Sequence, residues 1–172
     1  SAASGSLARE KKDPLVLNYA ASAATLSSQT FAFDIDSDGQ RDNISLLNQG
    51  SAFLALDRNQ DGKVNDGSEL FGTRSGDGFA DLAGFDSDSN GWIDEGDTVF
   101  AKLKLWIKDD TGADKLVDLK SSGVGALYLG RASTDFSLTD AGNQELGQTR
   151  ATGIYLNENG SGGTLQQVDL AV

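Results

Sequence analysis

Leu56–Gly72 reads LDRNQDGKVNDGSELFG, and Gly78–Asp97 reads GFADLAGFDSDSNGWIDEGD. Each stretch carries oxygen-bearing side chains at alternate positions, then a glycine, then one residue, then an apolar one. In the first these are Asp57, Asn59, Asp61, Gly62, Lys63 and Val64; in the second, Asp86, Asp88, Asn90, Gly91, Trp92 and Ile93. Short carboxylates and amides in that register, followed by a sharp glycine turn, converge on one point. An earlier stretch, Asp34-Ile35-Asp36-Ser37-Asp38-Gly39, opens the same way. The three starts, at residues 34, 57 and 86, form the internal repeat of the chain.

Composition narrows the chemistry of that point. The chain has 172 residues, 38% of them apolar, and a formal net charge of −12. Such a surface repels nucleic acid, and no apolar run reaches the roughly 20 residues of a membrane-spanning helix. There is no Cys and no His. Thiol and imidazole catalysis and zinc or iron held by those ligands are excluded. Of the 26 acids, 21 are Asp and 5 are Glu, and 13 of the Asp lie between Asp34 and Asp97. Glu is the better helix former, whereas Asp suits turns and compact oxygen-ligand loops. The bias points to a hard cation, and Ca2+ is the expected cofactor.

An EF-hand loop supplies oxygens from positions 1, 3, 5, 7, 9 and 12, with Gly at 6, a backbone carbonyl at 7 and an apolar residue at 8. Residues 86–97 match best, with Asp86, Asp88, Asn90, Trp92, Asp94 and Asp97 as ligands and Ile93 at position 8. Asp97 is one methylene shorter than the usual Glu. Residues 57–69 place Asp57, Asn59, Asp61 and Lys63 at 1, 3, 5 and 7, and Asn65 at 9. Ser68 falls at 12, so Glu69, one residue late, or Asp66 is expected to close this loop. Residues 34–45 offer Asp34, Asp36, Asp38, Gln40 and Asp42 but end on Ser45, without a closing acid. Asp77 is placed to complete any of these shells from outside.

Around the loops, apolar spacing sets the framework. Phe79, Leu82, Ala83 and Phe85 recur at helical intervals, as do Val99, Phe100 and Leu103, which predicts short helices flanking the third loop. Leu15–Leu17 with Tyr19, Phe31/Phe33, Phe53–Leu56, Leu103/Leu105/Ile107, Val124–Leu129, Phe136/Leu138, Ile154/Leu156 and Val168/Leu170/Val172 read as strands. Ala20–Gln29 reads as a loop, and Asn157–Gly163 as a hairpin turn. The expected fold is α+β, with short helices and EF-hand-like loops packed on a mainly antiparallel β framework. Residues 1–12 are expected to be a linker or tail, and 13–172 a single calcium-binding domain with a β-rich part over 103–172. The absence of Met suggests a piece of a longer protein.

The string from Leu56 through Asp97 and on to LKLWIKDD (103–110) resembles the calcium-binding region of large bacterial repeat-in-toxin and related secreted proteins. It is most similar to the self-processing module of FrpC-type proteins, over roughly residues 13 to 110. The most specific shared element is the DGSELFG turn, Asp66–Gly72. The resemblance implies a secreted or cell-surface bacterial setting and calcium-triggered cleavage of an Asp-Pro bond. The one proline, Pro14, follows Asp13 in DPLVLN. Asn18 stands where the family usually carries Asp, and an Ala/Ser segment replaces the Asp-Gly-rich loop that normally follows.

The expected function is therefore a structural calcium-binding module ordered by two or three ions. One alternative is calcium-triggered self-cleavage at Asp13-Pro14. Another is a calcium-rigidified adhesion module that meets a protein partner through the β-rich C-terminal part, around Tyr128 and Tyr155. A sensor role is disfavoured, since the exposed grooves of sensors tend to be Met-rich. No catalytic residue is assigned, although Asp pairs could in principle serve a hydrolase.

Overall fold

The computed structural model describes residues 12–109 and 111–171. Nine strands form one antiparallel sheet, and two more form a hairpin packed on it. In chain order they are β1 (Leu15–Asn18), β2 (Leu26–Phe33), β3 (Asp42–Leu47), β4 (Ser51–Leu56), β5 (Trp92–Asp94), β6 (Leu103–Lys108), β7 (Asp114–Asp118), β8 (Val124–Tyr128), β9 (Ala132–Thr139), β10 (Glu145–Asn157) and β11 (Gly162–Leu170). The main sheet runs β5-β8-β10-β11-β1-β4-β6-β7, and β9 pairs with β10 off that path. β2 and β3 pair only with each other.

The expectation of an α+β fold is corrected. Strand accounts for 47% of the chain and helix for 9%, and the sheet curls into a β half-barrel. The helix predicted from Phe79, Leu82 and Ala83 exists as α1 (Gly78–Ala83), six residues long. The spacing of Val99, Phe100 and Leu103 belongs to a single 3-10 turn, Phe100–Lys102, that feeds β6. Helix nucleation is costly, and the short segments left between Asp-rich loops have no length over which to recover that cost. Helical spacing over three or four apolar residues fits one buried turn as well as a helix. Two further readings change. β2 already begins at Leu26, inside the stretch read as a loop. Lys12, assigned to the tail, is only 9% exposed. Residues 1–11 of that tail, and Val172 of the last predicted strand, lie outside the described residues. The hairpin turn at 157–162 joins β10 to β11 as expected.

Alternation in the central strands explains the two cores. Leu15, Leu17, Ala52, Leu54, Leu56, Leu103 and Leu105 point to one face, where Phe71, Phe79, Leu82 and Phe100 cover them. Val16, Phe53, Ala55 and Trp106 point to the other, beneath Leu26, Phe33 and Ile44 of the β2–β3 hairpin. β1 and β4 are buried along their whole length, hence their unbroken apolar runs. Burying one such Leu or Phe side chain contributes about 1.5–3 kcal/mol. Among the described residues no helix is long and apolar enough to cross a membrane.

The framework places the Asp loops at strand and helix ends. The first lies between β2 and β3, the second follows β4, and the third follows α1 and runs through β5.

Candidate metal centre

The three loops share one backbone conformation. The fourth residue of each, Ser37, Gln60 or Ser89, has φ between 56° and 59°, and the sixth is Gly39, Gly62 or Gly91 with φ between 77° and 88°. The left-handed region is cheap for glycine and strained for other residues, so each turn is held by its hydrogen bonds. The carboxylate at position 1 accepts the N–H groups of positions 5 and 6. Asp34 accepts from Asp38 and Gly39, each at 3.0 Å. Asp57 accepts from Asp61 and Gly62 at 3.3 and 2.7 Å. Asp86 accepts from Asn90 and Gly91 at 3.3 and 2.9 Å. The position-5 oxygen of Asp38, Asp61 or Asn90 then accepts the N–H of Gln40, Lys63 or Trp92 at 2.8–2.9 Å. These bonds orient the acidic and amide side chains of each loop.

Three carboxylates converge in each loop: Asp34, Asp36 and Asp38; Asp57, Asp61 and Glu69; Asp86, Asp88 and Asp97. In each set one oxygen per residue lies within 4.8 Å of the others. Asn59, Asn65, Asn90 and Asp94 line the second and third sets. The Asn59 amide bonds the Asn65 oxygen at 2.9 Å, and the Asn90 amide bonds Asp94 at 3.2 Å. Asp42 is not in the first set. It begins β3 and faces Lys12, whose Nζ lies 3.7 Å from it and 3.1 Å from Asp36.

Glu69, not Asp66, closes the second loop. Its carboxylate accepts the N–H groups of Arg58 and Asn65, positions 2 and 9, at 3.1 and 2.7 Å. Asp97 does the same in the third loop, accepting from Ser87 and Asp94 at 2.7 and 3.1 Å. Both are buried, 4% and 2% exposed. Asp66 instead caps the 3-10 turn Gly67–Glu69, accepting the Ser68 N–H at 2.8 Å. Asp77 caps α1 and pairs with Arg131, and it belongs to none of the three carboxylate sets.

The electrostatics match a site built for positive charge. Burial raises the Glu69 pKa against the pull of its two N–H donors. Desolvation, then the neighbouring Asp86, raises that of Asp88. Burial also pushes Asp97 up, but the N–H groups of Asp94 and Ser87 outweigh it, and its pKa falls below the ordinary value. Among the described residues, no Lys or Arg ion-pairs with Asp57, Asp61, Glu69, Asp86, Asp88 or Asp97. Like charges about 4 Å apart repel by about 1 kcal/mol in water, and more once desolvated. The donor set is all oxygen, which fits a hard divalent cation such as calcium.

The DGSELFG turn is the hub of this region. The Asp66 carboxylate accepts the Ser37 hydroxyl of the first loop at 3.1 Å, and the Gly67 N–H donates to the Asp34 carbonyl at 2.8 Å. Glu69 closes the second loop. The Phe71 carbonyl accepts the Leu15 N–H at 3.1 Å. Gly72, at φ +89°, packs so closely on Asp13 that a Cβ there would lie 2.2 Å from the Asp13 carbonyl oxygen. Asp13 is 4% exposed. The Val168 N–H bonds the Pro14 carbonyl and the Leu170 N–H that of Lys12, at 3.1 and 3.2 Å, so both flanks of the Asp13-Pro14 bond are pinned to β11. Spacing could not foretell that Gly72 and Lys12 belong here, because both come close only through the fold.

The aromatic pair expected to mark a partner surface is split. Tyr128 packs against Trp92 at the surface, with ring centroids 4.8 Å apart and the rings tilted by 47°, while Tyr155 is buried.

Residues 16–171 match the family model of the SPM domain, and the chain belongs to that family.

Proposed function

We propose that this SPM-domain chain is a calcium-ordered structural module of a larger bacterial, extracytoplasmic protein. One observation carries the reading. The second and third loops each hold a buried carboxylate on the N–H groups of positions 2 and 9, facing two more carboxylates, and among the described residues no Lys or Arg ion-pairs with them. Asp57, Asn59, Asp61, the Lys63 carbonyl and Glu69 would hold one ion. Asp86, Asp88, Asn90, the Trp92 carbonyl, Asp94 and Asp97 would hold another. Bound calcium would neutralise their mutual repulsion and couple binding to folding. Calcium at 100 times its Kd should add about 2.7 kcal/mol of stability. The test is native mass spectrometry of the calcium-free chain with added calcium, beside thermal melts with and without chelator. Bound ions together with a raised Tm support the reading; no bound ion and an unchanged Tm overturn it.

The buried Asp13-Pro14 bond favours a second reading, self-cleavage, which the resemblance to FrpC-type modules also supports. The Asp13 carboxylate would attack its own main-chain carbonyl carbon and form a five-membered anhydride. The C–N bond to Pro14 breaks, the proline nitrogen takes up a proton, and water or an amine then opens the anhydride. Burial and the pinned flanks would hold the carbonyl in place while the carboxylate closes on it. Calcium-dependent loss of the segment ending at Asp13, abolished in Asp13→Asn, is the expected result. An intact mass in saturating calcium sinks this second reading and leaves the first standing.

A further inference from the structure

The first loop meets its charge differently from the other two. It has the same backbone turn and the same convergence of carboxylates, yet Ser45 stands at the closing position. Position 8, apolar in the other loops, is Arg41. Into this loop comes Lys12. Its side chain is 11% exposed, with Nζ 3.1 Å from Asp36, itself 9% exposed, and 3.7 Å from Asp42. The Asp42 oxygen that faces it is buried and accepts no hydrogen bond. An ammonium kept this far from water requires opposing charge, and Asp36 together with the buried oxygen of the half-buried Asp42 supplies it.

We infer that the Lys12 ammonium is the resident cation of the first loop, so that this loop takes up calcium only when Lys12 withdraws. The inference rests on the calcium reading of the other two loops. It divides the repeat into two metal loops and one internal tether. The tethered residue adjoins Asp13, and its carbonyl accepts the Leu170 N–H. The first loop thereby anchors the N-terminal side of the Asp13-Pro14 bond, as β1 anchors the other side.

The position-6 glycines provide one reporter per loop, since each N–H bonds the carboxylate at position 1. Calcium is titrated into the calcium-free chain and the amide resonances of Gly39, Gly62 and Gly91 are followed. In the wild type, Gly62 and Gly91 should shift and saturate while Gly39 stays in place. Lys12→Gln keeps most of the side chain and removes its charge. Gly39 should then respond at calcium at least ten-fold below what the wild type requires. Lys12→Arg, which keeps the charge, should behave as the wild type. Gly39 saturating with the other two in the wild type overturns the inference, and the wild-type result decides this even if K12Q does not fold. A silent Gly39 in folded K12Q also overturns it. If Gly62 and Gly91 do not move at all, the calcium reading itself has failed and takes this inference with it.

Discussion

Glu69 and Asp97 each accept the N–H groups of positions 2 and 9 of their own loop, from different places in its sequence. Asp97 stands at position 12 of its loop, and Glu69 stands one residue later with one methylene more. The longer side chain spans what the shifted backbone leaves open. Glu69→Gln and Asp97→Asn should each lower calcium affinity at least ten-fold at their own loop, because an amide nitrogen repels both the N–H donors and the ion. Isothermal titration with each variant would show one class of sites weakened and the other unchanged. Gly72 is constrained from two sides. Its φ is left-handed, and a Cβ there would strike the Asp13 carbonyl oxygen. Gly72→Ala should destabilise the chain by about 1–3 kcal/mol through strain and overpacking, read as a lowered Tm in both calcium and chelator.

At the scale of elements, Trp106 of β6 is the aromatic centre of the core beneath the β2–β3 hairpin. Trp106 of β6 packs against Phe31, Phe33 and Phe53 at centroid distances of 4.9–5.7 Å and donates from Nε1 to Asp114 at 2.9 Å. Trp106→Ala should cost about 3–5 kcal/mol. Amide exchange in β2 and β3 should rise before that in β10 and β11, whose mutual pairing does not involve Trp106. Elements legible in the sequence were those whose local pattern and tertiary role agree. β6 alternates and β4 is one unbroken apolar run because both feed two cores, and the three loops show their register in the shared spacing of Asp, Asn and Gly. β3, β5 and β7 escaped notice for physical reasons. β3 begins inside an acidic loop. The three residues of β5 lie within the third loop, where the Asp-Asn-Gly spacing dominates the local pattern. β7, DKLVD, is an edge strand with mostly exposed ends and little apolar signal. Helical spacing overstates the helices because Phe79, Leu82 and Phe100 share it in turns too short to propagate. At the candidate site, the acids that converge in each loop could be read from spacing. The choice of Glu69 over Asp66 and the arrival of Lys12 depended on contacts that no local pattern encodes.

Across the whole molecule, long-range hydrogen bonds tie the early chain to the late chain. Tyr155, buried in β10, donates its hydroxyl to the Asn18 carbonyl at the end of β1 at 2.8 Å. Burial raises its pKa above the ordinary 10.0. The folded state therefore holds the proton longer than the unfolded state does. This contribution is fully present below the unfolded value and is lost as pH rises from about 10 through the folded value. Denaturant melts between pH 8 and 11 should show that alkaline loss in the wild type and a flatter profile in Tyr155→Phe. The variant should be about 1 kcal/mol less stable at pH 8, having lost the bond. β1 itself lies in mid-sheet, hydrogen-bonded on one edge to β4 and on the other to β11. A polypeptide delivered N-terminus first, whether from a ribosome or through an export channel, thus holds an incomplete central strand until residues 162–170 have followed. The same late hairpin pins Lys12 and Pro14, so the Asp13-Pro14 neighbourhood is assembled only once the last strand has arrived. Arrival of β11 becomes a built-in completeness check, and a stalled or truncated chain never forms it.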